Sequence, residues 1–358
     1  LNFDAWDLVF WVKEKEMQGK SRDIPYPARL DLARTPTPLE PLSQLSEEMG
    51  VEVQIKRDDL TGAELTGNKV RKLEFLLADA LERGSDTVLT CGAAQSNHAR
   101  ATAIAAAKLG LKTRLLLRTR NPAKPPSVVG NILLDRLVGA EIVWLSFAEY
   151  GRRAEILERE AELLRTSGKT PYIIPEGGSN ALGAWGYVRM VEELVKDLKG
   201  CTGKGEGCTT IVHATGSGGT TAGLVLGVKL FGLDARVVGI NVCNDKNYFI
   251  KVVSEICNTA MATYQLEIPF SPQEDIHIVD GYVGEGYGKA SVQVLSLLVE
   301  LARTEGIILD PVYTGKAFYG MTQELKRNPK VFGHKVIFVH TGGIFGLLPM
   351  AAQLESFL

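Results

Sequence analysis

Short apolar runs, β-branched or leucine-rich, alternate with helical patterns over most of the chain. Thr87–Cys91, Thr113–Arg118, Glu141–Leu145 and Tyr172–Pro175 are bounded by turn residues and read as buried strands. Between them, Ala99–Leu109, Val128–Val138 and Ala148–Arg165 are alanine-rich or amphipathic and predict helices. A second block repeats the alternation, with strands predicted at Thr209–Ala214, Arg236–Val242, His277–Val283 and Lys335–His340. Strands joined through helices imply right-handed crossovers, so an α/β protein with parallel sheets flanked by helices is expected.

At 358 residues the chain exceeds what one core usually serves, and two lobes are expected. The division predicted is a small domain, residues 71–184, inserted in a large domain built from 1–70 and 185–358. The glycine-rich stretch Lys199–Gly207 reads as a surface loop. A net charge of −2 leaves no basic excess for a phosphate backbone, so no nucleic-acid partner is expected. No run reaches the ~20 apolar residues of a bilayer span, and no membrane partner is expected. The five cysteines form neither a disulfide framework nor a paired metal motif, as in a protein of a reducing interior. Leu1–Lys20 carries charges throughout, without a signal-peptide core. The expected setting is intracellular, cytoplasmic or mitochondrial.

Five segments at predicted strand ends carry candidate chemistry. In His213–Gly223 a strand runs into glycines ahead of a helix predicted from about Thr221. Glycines admit an anion to the backbone, and N–H groups at a helix start point toward it, so a phosphate site or a merely tight turn is predicted there. The stretch lacks both the GK[ST] of a P-loop and the spacing of a dinucleotide fold. Lys69 follows a Gly-Asn turn and precedes a helix predicted over Val70–Leu81. The helix dipole disfavours an ammonium there, which makes the amine a better nucleophile toward an aldehyde; the ordinary alternative is a solvated basic turn. Gln95, Ser96 and Asn97 place neutral donors at a helix start, fit for a carboxylate or for capping. Asp310–Ala317 and His340–Gly343 put hydroxyls at strand ends, with Tyr313 fit to stack on an aromatic cofactor or to sit in a core.

Together these segments, in this order and with Arg34-Thr-Pro-Thr-Pro-Leu and Ile55-Lys-Arg-Asp-Asp before them, resemble the D-cysteine desulfhydrase and 1-aminocyclopropane-1-carboxylate (ACC) deaminase family. Those are fold-type II pyridoxal 5'-phosphate (PLP) enzymes, like the tryptophan synthase β chain, and the resemblance covers nearly the whole chain. It implies PLP as cofactor, Lys69 as the Schiff-base lysine and Lys72 as a further phosphate contact. It also implies Ser217, Gly218, Gly219 and Thr220 as the phosphate loop and Asn97 as the partner of the cofactor's phenolic oxygen. Ser96 corresponds to the active-site serine, and Tyr287 and Tyr313 to two active-site tyrosines. ACC deaminases carry glutamate in DPVYEGK and leucine in HLGG, where this chain has Thr314 and Thr341. With QSNH in place of QSNQ, the pattern implies the desulfhydrase branch. The activity implied is β-elimination of D-cysteine to pyruvate, hydrogen sulfide and ammonia. A neutral threonine beside the pyridine nitrogen would suit it. Gln95, Ser96, Asn97, Tyr287 and Thr314 would face the small amino-acid substrate, Thr341 the cofactor. The resemblance also implies a homodimer and no metal.

Overall fold

The computed structural model describes residues 24, 26–198 and 209–358; the predicted loop Lys199–Gly207 lies outside them. Two sheets organise the chain. The smaller has the order β5 (Glu141–Leu145), β4 (Lys112–Arg118), β3 (Thr87–Ala93), β6 (Pro171–Ile173), all parallel. The larger has the order β1 (Leu39–Pro41), β2 (Glu52–Lys56), β10 (Lys335–Val339), β7 (Thr209–Thr215), β8 (Ala235–Asn241), β9 (His277–Val279). Only β1 runs antiparallel, pairing Leu39 with Lys56; β10 lies parallel between β2 and β7, with Lys335 beside Glu52 and Thr209.

The helices are α1 (Ser43–Met49), α2 (Asn68–Glu82), α3 (Asn97–Lys108), α4 (Asn131–Leu137), α5 (Phe147–Gly151), α6 (Arg153–Thr166), α7 (Ala181–Asp197), α8 (Gly219–Phe231), α9 (Lys246–Tyr264), α10 (Pro272–Asp275), α11 (Val292–Glu305), α12 (Thr314–Arg327) and the short α13 (Ile344–Leu347) and α14 (Ala351–Leu354). The α/β class with helix-flanked parallel sheets is the one predicted. Element ends differ where turn chemistry decides them. The predicted helix 148–165 breaks into α5 and α6 because Arg152 leaves helical geometry, at φ −107° and ψ 28°. The strand predicted to Val283 stops at Val279, ahead of four glycines with positive φ. Helix α8 begins at Gly219 rather than Thr221, because Gly218 supplies the left-handed cap, φ 83°.

Three helices stack closely beneath the site. A Cβ on Gly223 of α8 would lie 2.2 Å from the Ala184 carbonyl of α7, and one on Gly186 of α7 would lie 2.5 Å from the Arg71 backbone of α2. Glycine at both crossings lets α2, α7 and α8 approach backbone to backbone. The Arg71 guanidinium then donates to both oxygens of Asp58 (2.9 and 2.8 Å) and both of Glu193 (2.7 and 2.9 Å). Tyr187 of α7 also donates to Asp58, at 2.7 Å. This buried network fixes the rotation of α2, two residues beyond Lys69.

Candidate active site

The carboxyl ends of β3, β6, β7 and β10 converge on one cleft, the usual ligand position in parallel α/β folds. Lys69, in the first turn of α2, faces it and is partly exposed there. Burial pushes the Lys69 ammonium down to about 8, against the opposing pull of the Glu176 carboxylate. Burial, rather than the helix dipole expected from the sequence, is the main cause of the shift.

Opposite stands the loop Ser217–Thr220 at the start of α8. A Cβ on Gly219 would lie 2.7 Å from Ser179 Oγ and 2.9 Å from Lys72 Nζ, so only glycine fits that floor. The Ser179 hydroxyl accepts from Gly219 N (3.2 Å) and meets Ser217 Oγ at 2.8 Å. Lys72 Nζ donates to Gly177 O (3.2 Å) and Ser179 Oγ (3.4 Å). Burial, reinforced by the charge of Lys69, pushes its pKa well below the usual lysine range. Neither lysine forms an ion pair among the described residues, although Lys72 is fully buried and Lys69 half-buried. Two largely enclosed amines beside glycine-lined N–H groups therefore fit a phosphate dianion, which supplies the missing charge.

Asn68 joins the halves of the cleft. Its N–H donates to Thr341 O (3.1 Å) and its side-chain amide to Thr220 Oγ1 (3.2 Å). Sequence reasoning saw only a Gly-Asn turn there; it also missed Ser179, whose signal was a second strand-end glycine turn, Gly177-Gly178-Ser179. Ser96 caps α3, its oxygen accepting from Ala99 N at 3.1 Å, and its hydroxyl faces the cleft. Asn97 also lines the cleft; its Oδ1 accepts from Asn131 Nδ2 (3.0 Å), leaving its amide N–H groups to a ligand. Gln95 is turned away, its side chain donating to Val129 O (3.0 Å) and accepting from Asn131 N (2.9 Å). It braces Asn131, at the start of α4, behind the cleft wall.

Tyr287 and Tyr313 both line the cleft and hydrogen-bond hydroxyl to hydroxyl, their rings edge-on with centroids 5.7 Å apart. Burial pushes the Tyr287 phenol up to about 12. A Cβ on Gly216 would lie 3.3 Å from the Tyr313 ring, which places that ring against the loop after β7. Of the two threonines, Thr341 lines the cleft, whereas Thr314 is fully buried outside it. The Thr314 hydroxyl donates to Asp310 Oδ1 (2.7 Å) and accepts from Asp310 N (2.8 Å). A carboxylate that sequence reasoning did not single out, Glu176, also lines the cleft. It accepts from Tyr150 OH at 2.6 Å and pairs with Arg153 at 2.9 Å.

Fold and site thus define a parallel α/β enzyme that holds a phosphate-bearing carbonyl compound against a lysine. Comparison with known proteins agrees: the family profile described as "Pyridoxal-phosphate dependent enzyme" matches residues 30–342. A Thermotoga maritima protein provisionally named 1-aminocyclopropane-1-carboxylate deaminase is 45% identical, over 91% of this chain and 99% of its own. The Arabidopsis thaliana mitochondrial "bifunctional D-cysteine desulfhydrase/1-aminocyclopropane-1-carboxylate deaminase" is 41% identical over 91% of this chain and 81% of its own. A crystal structure of an ACC deaminase homologue superposes with a TM-score of 0.82, at 39% identity, covering 93% of this chain and 97% of that one. The chain belongs to the pyridoxal-phosphate dependent enzymes and, among them, to the D-cysteine desulfhydrase/ACC deaminase family, with PLP as its cofactor. No described helix is long and apolar enough to cross a membrane.

Proposed function

We propose that the protein catalyses β-elimination of D-cysteine, consuming water and yielding pyruvate, hydrogen sulfide and ammonia. The observation that carries this reading is the half-buried Lys69, its pKa lowered to about 8, facing the Ser217–Thr220 cradle, with neutral Thr341 beside it on the cleft wall. Bound PLP supplies an electron sink that acidifies the Cα–H bond of an amino acid. The chain's own groups do the rest. Lys72 and the backbone of Ser217–Thr220 would hold the phosphate, with Tyr313 available to the ring. Ser96 and the Asn97 amide orient the substrate carboxylate and ring oxygen, so that one face of Cα meets Lys69.

With its pKa near 8, Lys69 has a neutral fraction near pH 7 to accept the Cα proton. The C–S electron pair departs with sulfur, and the protonated Tyr287 phenol stands as a donor to the leaving thiolate. A thiolate leaves readily without a carboxylate at the ring nitrogen. Thr341 offers a neutral hydroxyl, and Asp310 is saturated by the N–H groups of residues 312–314 and the Thr314 hydroxyl. Ring-opening of ACC breaks a carbon–carbon bond and demands a stronger sink. The same reading takes residues 71–184 as the small domain, the assembly as a homodimer, and the setting as the cytoplasm or mitochondrion.

Turnover of D- against L-cysteine by the wild type and Lys69→Ala tests the proposal. Sulfide from D-cysteine alone, abolished in the variant, is expected. The Thermotoga relative favours ACC as the second reading, and 2-oxobutyrate from ACC without sulfide from D-cysteine would establish that instead.

A further inference from the structure

We infer that Arg118 is a positioning residue for the substrate side of the cleft. It latches the segment bearing Tyr287 onto the carboxyl end of β4 in the smaller sheet. The inference rests on the reading above that Tyr287 faces the amino acid.

Residues 280–291 form neither helix nor strand. Gly281, Gly284, Gly286 and Gly288 have φ of 100°, 64°, 118° and 78°, and a Cβ on any of them would meet open space. These glycines therefore serve the backbone path rather than tight packing, and the segment depends on discrete tethers to hold its shape. On the side of the larger sheet, Asp280 accepts from Asn241 Nδ2 (2.7 Å) and Lys246 N (2.9 Å), and Tyr282 donates to Glu324, which anchors the start of the segment; two further tethers hold its middle. Lys316 of α12 donates to Val283 O (2.7 Å) and Gly286 O (2.8 Å), and Tyr313 meets the Tyr287 hydroxyl.

Another tether of the middle comes from across the cleft. Arg118 ends β4, and its guanidinium carbon lies 4.7 Å from the Tyr287 ring centroid, 5.1 Å from Tyr150 and 5.5 Å from Phe147. The cation is attracted to all three ring faces, and it forms no hydrogen bond or ion pair through its side chain among the described residues. Its main chain holds the end of the neighbouring strand β3, the Arg118 carbonyl accepting from Ala94 N at 3.2 Å, two residues before Ser96. One residue thus fixes the loop of the carboxylate seat by its backbone and Tyr287 by its side chain. A planar guanidinium covers several rings at once, which the compact ammonium of lysine does only in part.

The test uses the PLP-loaded enzyme and the variants Arg118→Met, Arg118→Lys, Tyr287→Leu and the Met/Leu double. Three quantities are read: KM against kcat, cofactor absorbance, and the rate of tryptic cleavage after the exposed Lys289. Arg118→Met should raise KM roughly 5- to 30-fold, more than it lowers kcat, and speed cleavage while leaving the absorbance intact. Arg118→Lys should recover part of both, and the double variant should be no worse than Tyr287→Leu. KM and cleavage within about twofold of wild type in Arg118→Met, or additive effects in the double, would overturn the latch. So would loss of cofactor absorbance, which would put Arg118 in cofactor binding. Cleavage requires no turnover, and KM is measured with whichever of D-cysteine or ACC the wild type consumes. Failure of the substrate reading is thereby separated from failure of the latch.

Discussion

Lys69 and Lys72 are two amines three residues apart on one helix, Lys72 buried and Lys69 half-buried, with no carboxylate paired to either among the described residues. Burial disfavours their charged forms, so each waits on an anion or a carbonyl to relieve it. For Lys69 the consequence can be given a pH. Between about 8 and the ~10.4 of an exposed lysine, the unfolded chain keeps a proton that the folded apoprotein has released. Stability of the apoprotein therefore rises with pH through that window, and the burial penalty is present in full below it. Urea unfolding should find apo Lys69→Met more stable than wild type at pH 7, with the gap closing between about pH 8 and about pH 10.5. Attachment of PLP, followed by absorbance, should accelerate with a midpoint near pH 8. Thr314 and Thr341, which looked equivalent in sequence, separate here. Thr314→Ala leaves Asp310 short of two hydrogen bonds and should cost roughly 1–3 kcal/mol in urea unfolding. Thr341→Ala should instead change cofactor affinity, seen in a PLP titration.

The elements matter because they fix how far apart the lysine and the phosphate loop stand. Helix α7 lies between α2, which carries Lys69, and α8, whose first turn carries the loop, and glycine crossings set both spacings. Gly186→Ala would push a methyl into the Arg71 backbone. It should destabilise the protein by about 1–3 kcal/mol and weaken PLP binding, measured by urea unfolding and cofactor titration. Apolar periodicity predicted the helices over residues 99–109 and 70–81 within a few residues of α3 and α2. It did not place Asn68 and Lys69 inside α2, because the boundary depends on Gly67 at φ 96° rather than on burial. Strands β1 and β2 were not predicted: β1 is three residues long with a proline, and β2 is five residues of mixed polarity.

At the scale of the whole molecule, the cofactor should act as a folding ligand, since the cradle and Lys69 come from segments about 150 residues apart. PLP at a thousand times its dissociation constant should stabilise the native state by about 4 kcal/mol, read as a rise in melting temperature of the holo over the apo form. Lys69→Ala should lose most of that rise. The sequence by itself determined the α/β alternation, because side-chain periodicity reports local geometry. It also determined the strand-end motifs, because glycines, lysines and hydroxyls are local signals of turns and anion sites. Only the tertiary structure decided which of those residues meet. It placed Thr341 on the cleft and Thr314 behind it, turned Gln95 toward Asn131, and set Arg118 over Tyr287. It also made burial the cause of the Lys69 shift. Each of those outcomes depends on side-chain direction and solvent exclusion between segments remote in sequence, which no local pattern encodes.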